Sequence, residues 1–459
     1  MRRRLLPLAC ALLAAALPAG CGRERTPDVI LVTLDTTRSD HLGVYGYRRP
    51  ITPSIDRFAR DSVTYRRAWS TAPWTLPAHA SIFTGKRPGS HGADQGLARD
   101  HGSLGSATSP EFLAALLPHE LPEQETTLAE LLDAQGYESG AFVGGPYLLP
   151  EFGLLQGYRH RDTDLPRDAK RRADELADRA IAWLETIPRE RPVNLLVNFF
   201  DPHAPYAPPA GYDDLPGAKT PIRVTDVDVM RGAALSEKQR AASVDRYDGE
   251  IRFMDFHLGR LLAALERLGR YDGAIIVLVG DHGELFGEHG LMEHGQALYE
   301  ELIRVPLIVH FPHAHDAGRF EDRTVSTIDL LPLVAAELGL ALPAGVEGVP
   351  VGEREVAHAE CSRGAWFVAR YGDDFDRDLQ AVVRWPWKLI LSDRGVVEAY
   401  RLDEDPAEAI NRRDAPEAAS LLQALEAERA TLAPRDRRSR PAEITPEVQA
   451  RLRALGYLP

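Results

Sequence analysis

Short apolar runs that each end on an acidic residue constrain this chain more than any other feature. Val29-Ile-Leu-Val-Thr-Leu34 runs into Asp35, Val193-Asn-Leu-Leu-Val-Asn-Phe-Phe200 into Asp201-Pro-His203, and Ala274-Ile-Ile-Val-Leu-Val279 into Gly280-Asp281-His282, with a further run at Val305-Pro-Leu-Ile-Val309. Near-continuous apolarity over so few residues suits strands covered on both faces. Helical periodicity over 127–135, 167–186, 238–268 and 328–338 supplies the covering layers. The alternation predicts an α/β fold with a mostly parallel sheet. In such a sheet ligands bind outside the carboxyl ends of the strands. One Asp after a strand is an ordinary turn or cap. Three of them, accompanied by histidines, predict one shared site.

Composition narrows the function. The 68 acidic residues outnumber the 54 Lys and Arg, for a net charge of −14. That balance excludes a nucleic-acid binder, which needs a basic face to neutralise phosphates. The three cysteines, Cys10, Cys21 and Cys361, cannot form a disulfide framework. Cys361 lies outside the site-forming segments and reads as a small buried apolar residue.

The N-terminus carries Met1-Arg-Arg-Arg, an apolar run from Leu5 to Leu17, then Pro18-Ala-Gly-Cys21. This is the charged start, short apolar middle and small-residue end of an export signal, and the run is too short to span a bilayer. Residues 1–20 are therefore expected to be a signal peptide. The placement of Cys21 resembles a bacterial lipoprotein signal, which implies an exported chain held to a membrane by lipid on Cys21 and facing the periplasm or cell exterior. Pro18 departs from that pattern. Ordinary cleavage nearby, releasing a soluble secreted protein, is the alternative.

Residues 27–350 form the expected catalytic domain. Beyond it, Trp385 to Leu391 and Val396 to Leu402 read as two strands of a small antiparallel unit, and Pro416 to Leu432 as a helix with proline in its first turn. These place a small α+β subdomain at 351–432, followed at 433–459 by an exposed charged connection and a terminal helix ending at Gly456. Residues 96–125 read as an irregular insertion bordering the site.

The most informative segment is Trp74-Thr75-Leu-Pro77-Ala-His79-Ala-Ser-Ile-Phe-Thr84-Gly85. Thr75 could be an ordinary helix N-cap, with Gly85 closing the helix. The functional reading makes its hydroxyl a nucleophile at a positive helix end, where an anionic ester is favoured. One helical turn separates it from His79, so contact is feasible.

The ordered set Asp35, Thr75 to Gly85, Asp201-Pro-His-Ala-Pro-Tyr206, Asp281-His-Gly-Glu284 and Arg304-Val-Pro306 resembles the sulfatase family of the alkaline phosphatase superfamily. Thr52 to Ala59, Leu128 to Leu132, Tyr247 to Ile251 and Glu398 to Pro406 support it, so the likeness covers about residues 27–412. The resemblance implies an alkaline-phosphatase-like α/β/α sandwich, a divalent cation, and hydrolysis or transfer of sulfate or phosphate esters. It places Asp35, Asp281 and His282 on the metal ligands and Thr75 on the nucleophile, which also binds the ion. Three oxygens and one imidazole suit zinc or manganese better than calcium, although the same frame holds calcium in sulfatases. His203 and His294 fall on positions that contact ester oxygens or protonate the leaving group; relatives often have lysine at the latter. His79 orients Thr75 or binds a substrate oxygen. Asp201, His203 and His294 have a competing use as ligands of a second ion. Glu288 and His289 organise a loop.

Three departures from the sulfatase pattern stand out. Thr75 occupies the position of the Cys or Ser that sulfatases oxidise to formylglycine, and its β-methyl would make that product a ketone. His79 replaces an arginine, and Thr36 stands where many sulfatases carry a second metal-binding aspartate. Superfamily members with a threonine nucleophile pass a phosphoryl group through phosphothreonine, so phosphoester or phosphonate chemistry stands at least level with sulfate hydrolysis. The alternative is a catalytically silent relative that binds anionic glycans or lipids; retention of the nucleophile position speaks against it.

Overall fold

The computed structural model describes residues 25–95, 117–166, 170–219, 235–364, 367–368, 371–395, 397–431, 439–455 and 457–458. The expected signal peptide, Cys21, most of the 96–125 insertion and Gly456 lie outside the described residues. Among the described residues no helix is long and apolar enough to cross a membrane.

The large sheet contains β1 (Val29–Leu34), β2 (Val63–Tyr65), β3 (Glu138–Val143), β4 (His160–Asp162), β5 (Val193–Phe199), β6 (Ile275–Gly280), β7 (Leu307–His310) and β8 (Phe320–Glu321), in the order β8-β2-β7-β6-β1-β5-β3-β4. The three runs that end on acidic residues are the three central strands, and β1 pairs in parallel with both β5 and β6. Every residue of β1 is buried. Its side chains alternate between two cores: Val29 and Leu31 on one face, Ile30, Val32 and Leu34 on the other. Each such aliphatic side chain contributes about 1.5–3 kcal/mol.

The first face is covered by α1 (Thr75–Thr84), α2 (Leu128–Asp133) and α5 (Leu330–Glu337), the second by α3 (Ala173–Thr186) and α4 (Glu237–Arg267). The result is an α/β/α arrangement. Strand β7 runs antiparallel to both its neighbours, β6 and β2. The chain lingers at the carboxyl end of β6 through residues 281–306 and re-enters the sheet from that end, which reverses the strand.

The C-terminal sheet has four strands rather than the two expected: β9 (Ala357–Cys361), β10 (Leu379–Arg384), β11 (Trp387–Ser392) and β12 (Val397–Arg401), all antiparallel. Helix α6 (Pro416–Thr431) covers it through Ala418 and Leu421, packed with Val382 and Leu389. Cys361 is buried and its thiol donates to the Gly295 carbonyl at 3.4 Å.

The last helix, α7 (Pro446–Ala454), is capped by Thr445, whose hydroxyl accepts the Val448 N–H at 3.2 Å. It does not extend from the small sheet. Val448 and Leu452 join the core cluster of the catalytic domain.

Candidate active site

Helix α1 begins with Trp74 in the cap position, so Thr75 is the first helical residue and its hydroxyl is not used as a cap. The capping reading of Thr75 is thereby overturned: tryptophan has no acceptor to offer, and Thr75 Oγ1 is left facing the strand ends, 3.3 Å from His282 Nε2. Residues 75–84 are all buried, and Gly85 closes the helix at φ 66°, a left-handed turn that glycine takes without strain.

Asp35, Asp281 and His282 converge beside Thr75, with one ligand atom of each within 4.8 Å of the others. Both carboxylate oxygens of Asp35 are buried without a hydrogen-bond partner. Asp281 Oδ1 accepts the backbone N–H groups of His282 (2.8 Å) and Thr36 (3.2 Å). Its Oδ2 lies 3.4 Å from His282 Nε2 and 3.3 Å from His79 Nδ1. His282 Nδ1 donates to the Gly283 carbonyl at 3.0 Å, which leaves the Nε2 lone pair directed into the cluster. Gly283 is required because a Cβ there would stand 2.0 Å from the Glu301 carbonyl oxygen.

Burial, and then the neighbouring Asp281 and Glu284, push the Asp35 pKa well up, and burial raises that of Asp281. Burial, with His294 nearby, holds His282 neutral by lowering its pKa to about 3. One orphaned buried carboxylate, a second with its Oδ2 unpartnered, and a neutral imidazole fit a divalent cation, which supplies the missing charge. Asp35→Asn is therefore expected to stabilise the metal-free protein by on the order of 1–2 kcal/mol, while abolishing the rise in melting temperature given by zinc, manganese or calcium. Thermal melts with and without each metal measure both effects.

Thr36 sits at φ 52° although it is β-branched, a strained position of the kind found at functional turns. Its carbonyl accepts the Tyr247 hydroxyl at 2.7 Å, and its N–H serves Asp281.

His79 is buried. Its Nδ1 donates to the Thr75 carbonyl (2.9 Å) and its Nε2 accepts the Thr33 hydroxyl (3.0 Å). Both ring nitrogens are thus held by protein, so His79 orients the first turn of α1 and does not present a nitrogen to substrate.

His203 and His294 meet across the mouth of the cluster, with ring centroids 4.9 Å apart. His203 Nδ1 donates to the Ala204 carbonyl at 2.6 Å, and His294 Nδ1 faces Glu284 Oε1 at 3.0 Å. Burial lowers the His294 pKa to about 4 and raises that of Glu284 to about 8. Asp201 does not join them. Its Oδ1 accepts the Ala173 N–H at the start of α3 (3.2 Å), and Lys170 Nζ donates to the Asp201 and His203 carbonyls at 3.0 Å each. Among the described residues Asp201, His203 and His294 do not form a ligand set. The three are therefore not assembled as ligands of a second ion: Asp201 Oδ1 is held at the start of α3, while its Oδ2 is buried without a partner.

Glu288 accepts from Arg38 (2.7 Å), and His289 stacks on Tyr299 at 3.6 Å, both loop roles. Sequence reasoning missed Tyr457, whose hydroxyl lies against His203 Nε2 and 3.4 Å from His294 Nε2. Burial, then Tyr147, raises its pKa well above the ordinary phenol value. No spacing or motif in the sequence connects residue 457 to the rest of the site.

The profile of the family described as Sulfatase matches residues 27–340, and that of N-sulphoglucosamine sulphohydrolase, C-terminal, matches 287–434. Among similar proteins, an arylsulfatase of Clostridium perfringens is 23% identical over 446 residues, covering 84% of this chain and 90% of that enzyme. The multifunctional alkaline phosphatase superfamily protein PehA of Trinickia caryophylli is 28% identical over 392 residues, covering 70% and 75%. Among solved structures, the phosphonate monoester hydrolase of Agrobacterium radiobacter superposes with a TM-score of 0.69 at 20% identity, covering 88% of this chain and 95% of that one.

Proposed function

Because the chain belongs to the sulfatase family, we propose that this ester hydrolase works through Thr75 as a covalent nucleophile, on sulfate or phosphate esters, with phosphoester and phosphonate substrates at least level with sulfates. The observation that carries the reading is the Thr75 hydroxyl: buried, free of capping duty, at a helix N-terminus and 3.3 Å from His282 Nε2. Asp35, Asp281, His282 and Thr75 would hold one divalent cation. When bound, it supplies positive charge that lowers the hydroxyl pKa and offsets the charge of the ester.

Thr75 Oγ1 bonds to phosphorus or sulfur as the bond to the alcohol oxygen breaks, and the alcohol departs with a proton. Water then attacks the same atom, releasing sulfate, phosphate, a phosphate monoester or a phosphonate according to the substrate, and restoring the hydroxyl. His203 and His294 face the ester and its leaving group, and His79 fixes the turn that aims Thr75. The β-methyl of threonine excludes the formylglycine route. The chemistry suggested by the names of the relatives, an arylsulfatase and a phosphonate monoester hydrolase, spans the two ester classes.

The test is a panel of nitrophenyl sulfate, phosphate, phosphodiester and phosphonate substrates given to metal-loaded protein, with intact-mass detection of an adduct on Thr75. An adduct with a phosphodiester supports the phosphothreonine route. Inactivity with all four substrates despite stoichiometric metal would instead fit a non-catalytic binder of anionic ligands. We further propose an exported protein, anchored through lipid on Cys21; mass analysis of the membrane-extracted N-terminus checks that.

A further inference from the structure

The geometry points to Tyr457, supplied by the extreme C-terminus, as a residue of the active site that donates a hydrogen bond to an ester oxygen of the substrate. The inference rests on the ester-hydrolase reading of the same site. His203 Nδ1 is committed as a donor to the Ala204 carbonyl, so its Nε2 carries a lone pair and accepts from the Tyr457 hydroxyl. The same oxygen is 3.4 Å from His294 Nε2. An ester oxygen brought up to the two imidazoles arrives beside the phenol oxygen that now meets both. On arrival of substrate the phenol redirects its hydrogen bond from His203 to that oxygen and keeps its own proton.

An inhibitory plug would need a segment free to withdraw, and this one is built into the catalytic domain. Glu120 N–H donates to the Arg440 carbonyl (3.1 Å) and Ala442 N–H to the Pro118 carbonyl (2.9 Å). Arg451 Nη2 donates to the Leu165 carbonyl at 2.7 Å. Val448, Leu452 and Leu458 are buried in the same cluster as the β1 side chains Val29 and Leu31. Tyr457 itself packs edge-on against Tyr147, with centroids 4.6 Å apart, and its N–H is held by the Leu452 carbonyl at 2.8 Å. Releasing the tyrosine by withdrawing the tail would expose that apolar surface, whereas a side-chain adjustment leaves it covered. A small cavity is lined by Trp74, Tyr147, Phe367, His294 and Tyr457, so the tyrosine borders open space on the His294 side of the site.

Tyr457→Phe removes the hydroxyl and keeps the ring packing. In metal-loaded protein, kcat/KM is expected to fall about 10- to 100-fold, the worth of one hydrogen bond to a charged group. The loss should be larger for alkyl esters than for nitrophenyl esters, because the oxygen that gathers more charge depends more on a donor. A purely structural tyrosine would not change that leaving-group dependence. The affinity for inorganic phosphate, measured by calorimetry, should fall in parallel. An unchanged or raised kcat/KM across the panel overturns the inference and leaves the hydrolase reading intact. If the wild type turns over no ester, phosphate binding decides: weaker binding by the variant sustains the contact, and equal binding or none in either protein overturns it.

Discussion

Thr75→Ala is expected to lower kcat/KM by roughly 10³- to 10⁶-fold, the range over which loss of a covalent nucleophile is felt, and to remove the phospho-adduct from the mass spectrum. The fold should survive the change. Thr75 Oγ1 makes no cap bond, and His282 Nε2 stands 3.3 Å from it. The bond that anchors the first turn of α1 runs from His79 Nδ1 to the Thr75 carbonyl, which alanine retains. A melting temperature near that of the wild type, together with lost turnover, separates chemistry from stability. Full turnover by Thr75→Ala would dispose of the covalent mechanism, and retained metal-dependent stabilisation would then confine the remaining ligands to Asp35, Asp281 and His282.

The largest expected stability effect lies elsewhere. Lys388 on β11 is fully buried, with Nζ 2.9 Å from Glu408 Oε1 and 3.0 Å from Glu300 Oε1. Burial pulls its pKa down, but the two carboxylates outweigh that and raise it. Trp69 Nε1 also donates to Glu300 Oε1 at 3.0 Å, and the Glu300 N–H to Glu408 Oε2 at 2.6 Å. Lys388→Met leaves two buried carboxylates without their cation, which is expected to cost about 3–5 kcal/mol. The denaturant midpoint and its slope report it. Adding Glu408→Gln to Lys388→Met should recover part of the loss, since one uncompensated charge is removed with the partner. A cost below about 1 kcal/mol would show that water reaches the carboxylates when the lysine is gone. Because Lys388 ties the small sheet to Trp69 and Glu300 of the catalytic domain, the small sheet should open first.

How far the sequence could be read follows from the range over which each residue is held in place. Asp35, Asp201 and Asp281 were legible because a buried parallel strand writes itself as a short apolar run, and the residue after it sits at the binding end of the sheet. Asp201 shows the limit of that rule. Its position follows from the strand, but its partner is the Ala173 N–H on a helix that no local pattern places there. The short strands Val63–Tyr65 and His160–Asp162 passed unread because they are only three residues long. Strand β3 was also missed: Gly140 breaks the apolar run, and a Cβ there would meet the Trp183 ring at 2.9 Å.

The sequence by itself determined the α/β class and the end of the sheet at which Asp35 and Asp281 stand, since both follow from periodicity within one element, while the grouping of Asp35, Thr75, Asp281 and His282 came from the ordered motifs that resemble a family. Only the tertiary structure decided the reversed direction of β7, the placing of Trp74 rather than Thr75 in the cap position of α1, the fixing of both His79 nitrogens and the return of Tyr457 to the two histidines. Those depend on which distant surfaces bury one another. Apolar side chains such as Val448 and Leu452 state that they need cover, but nothing in their order along the chain names the surface that provides it.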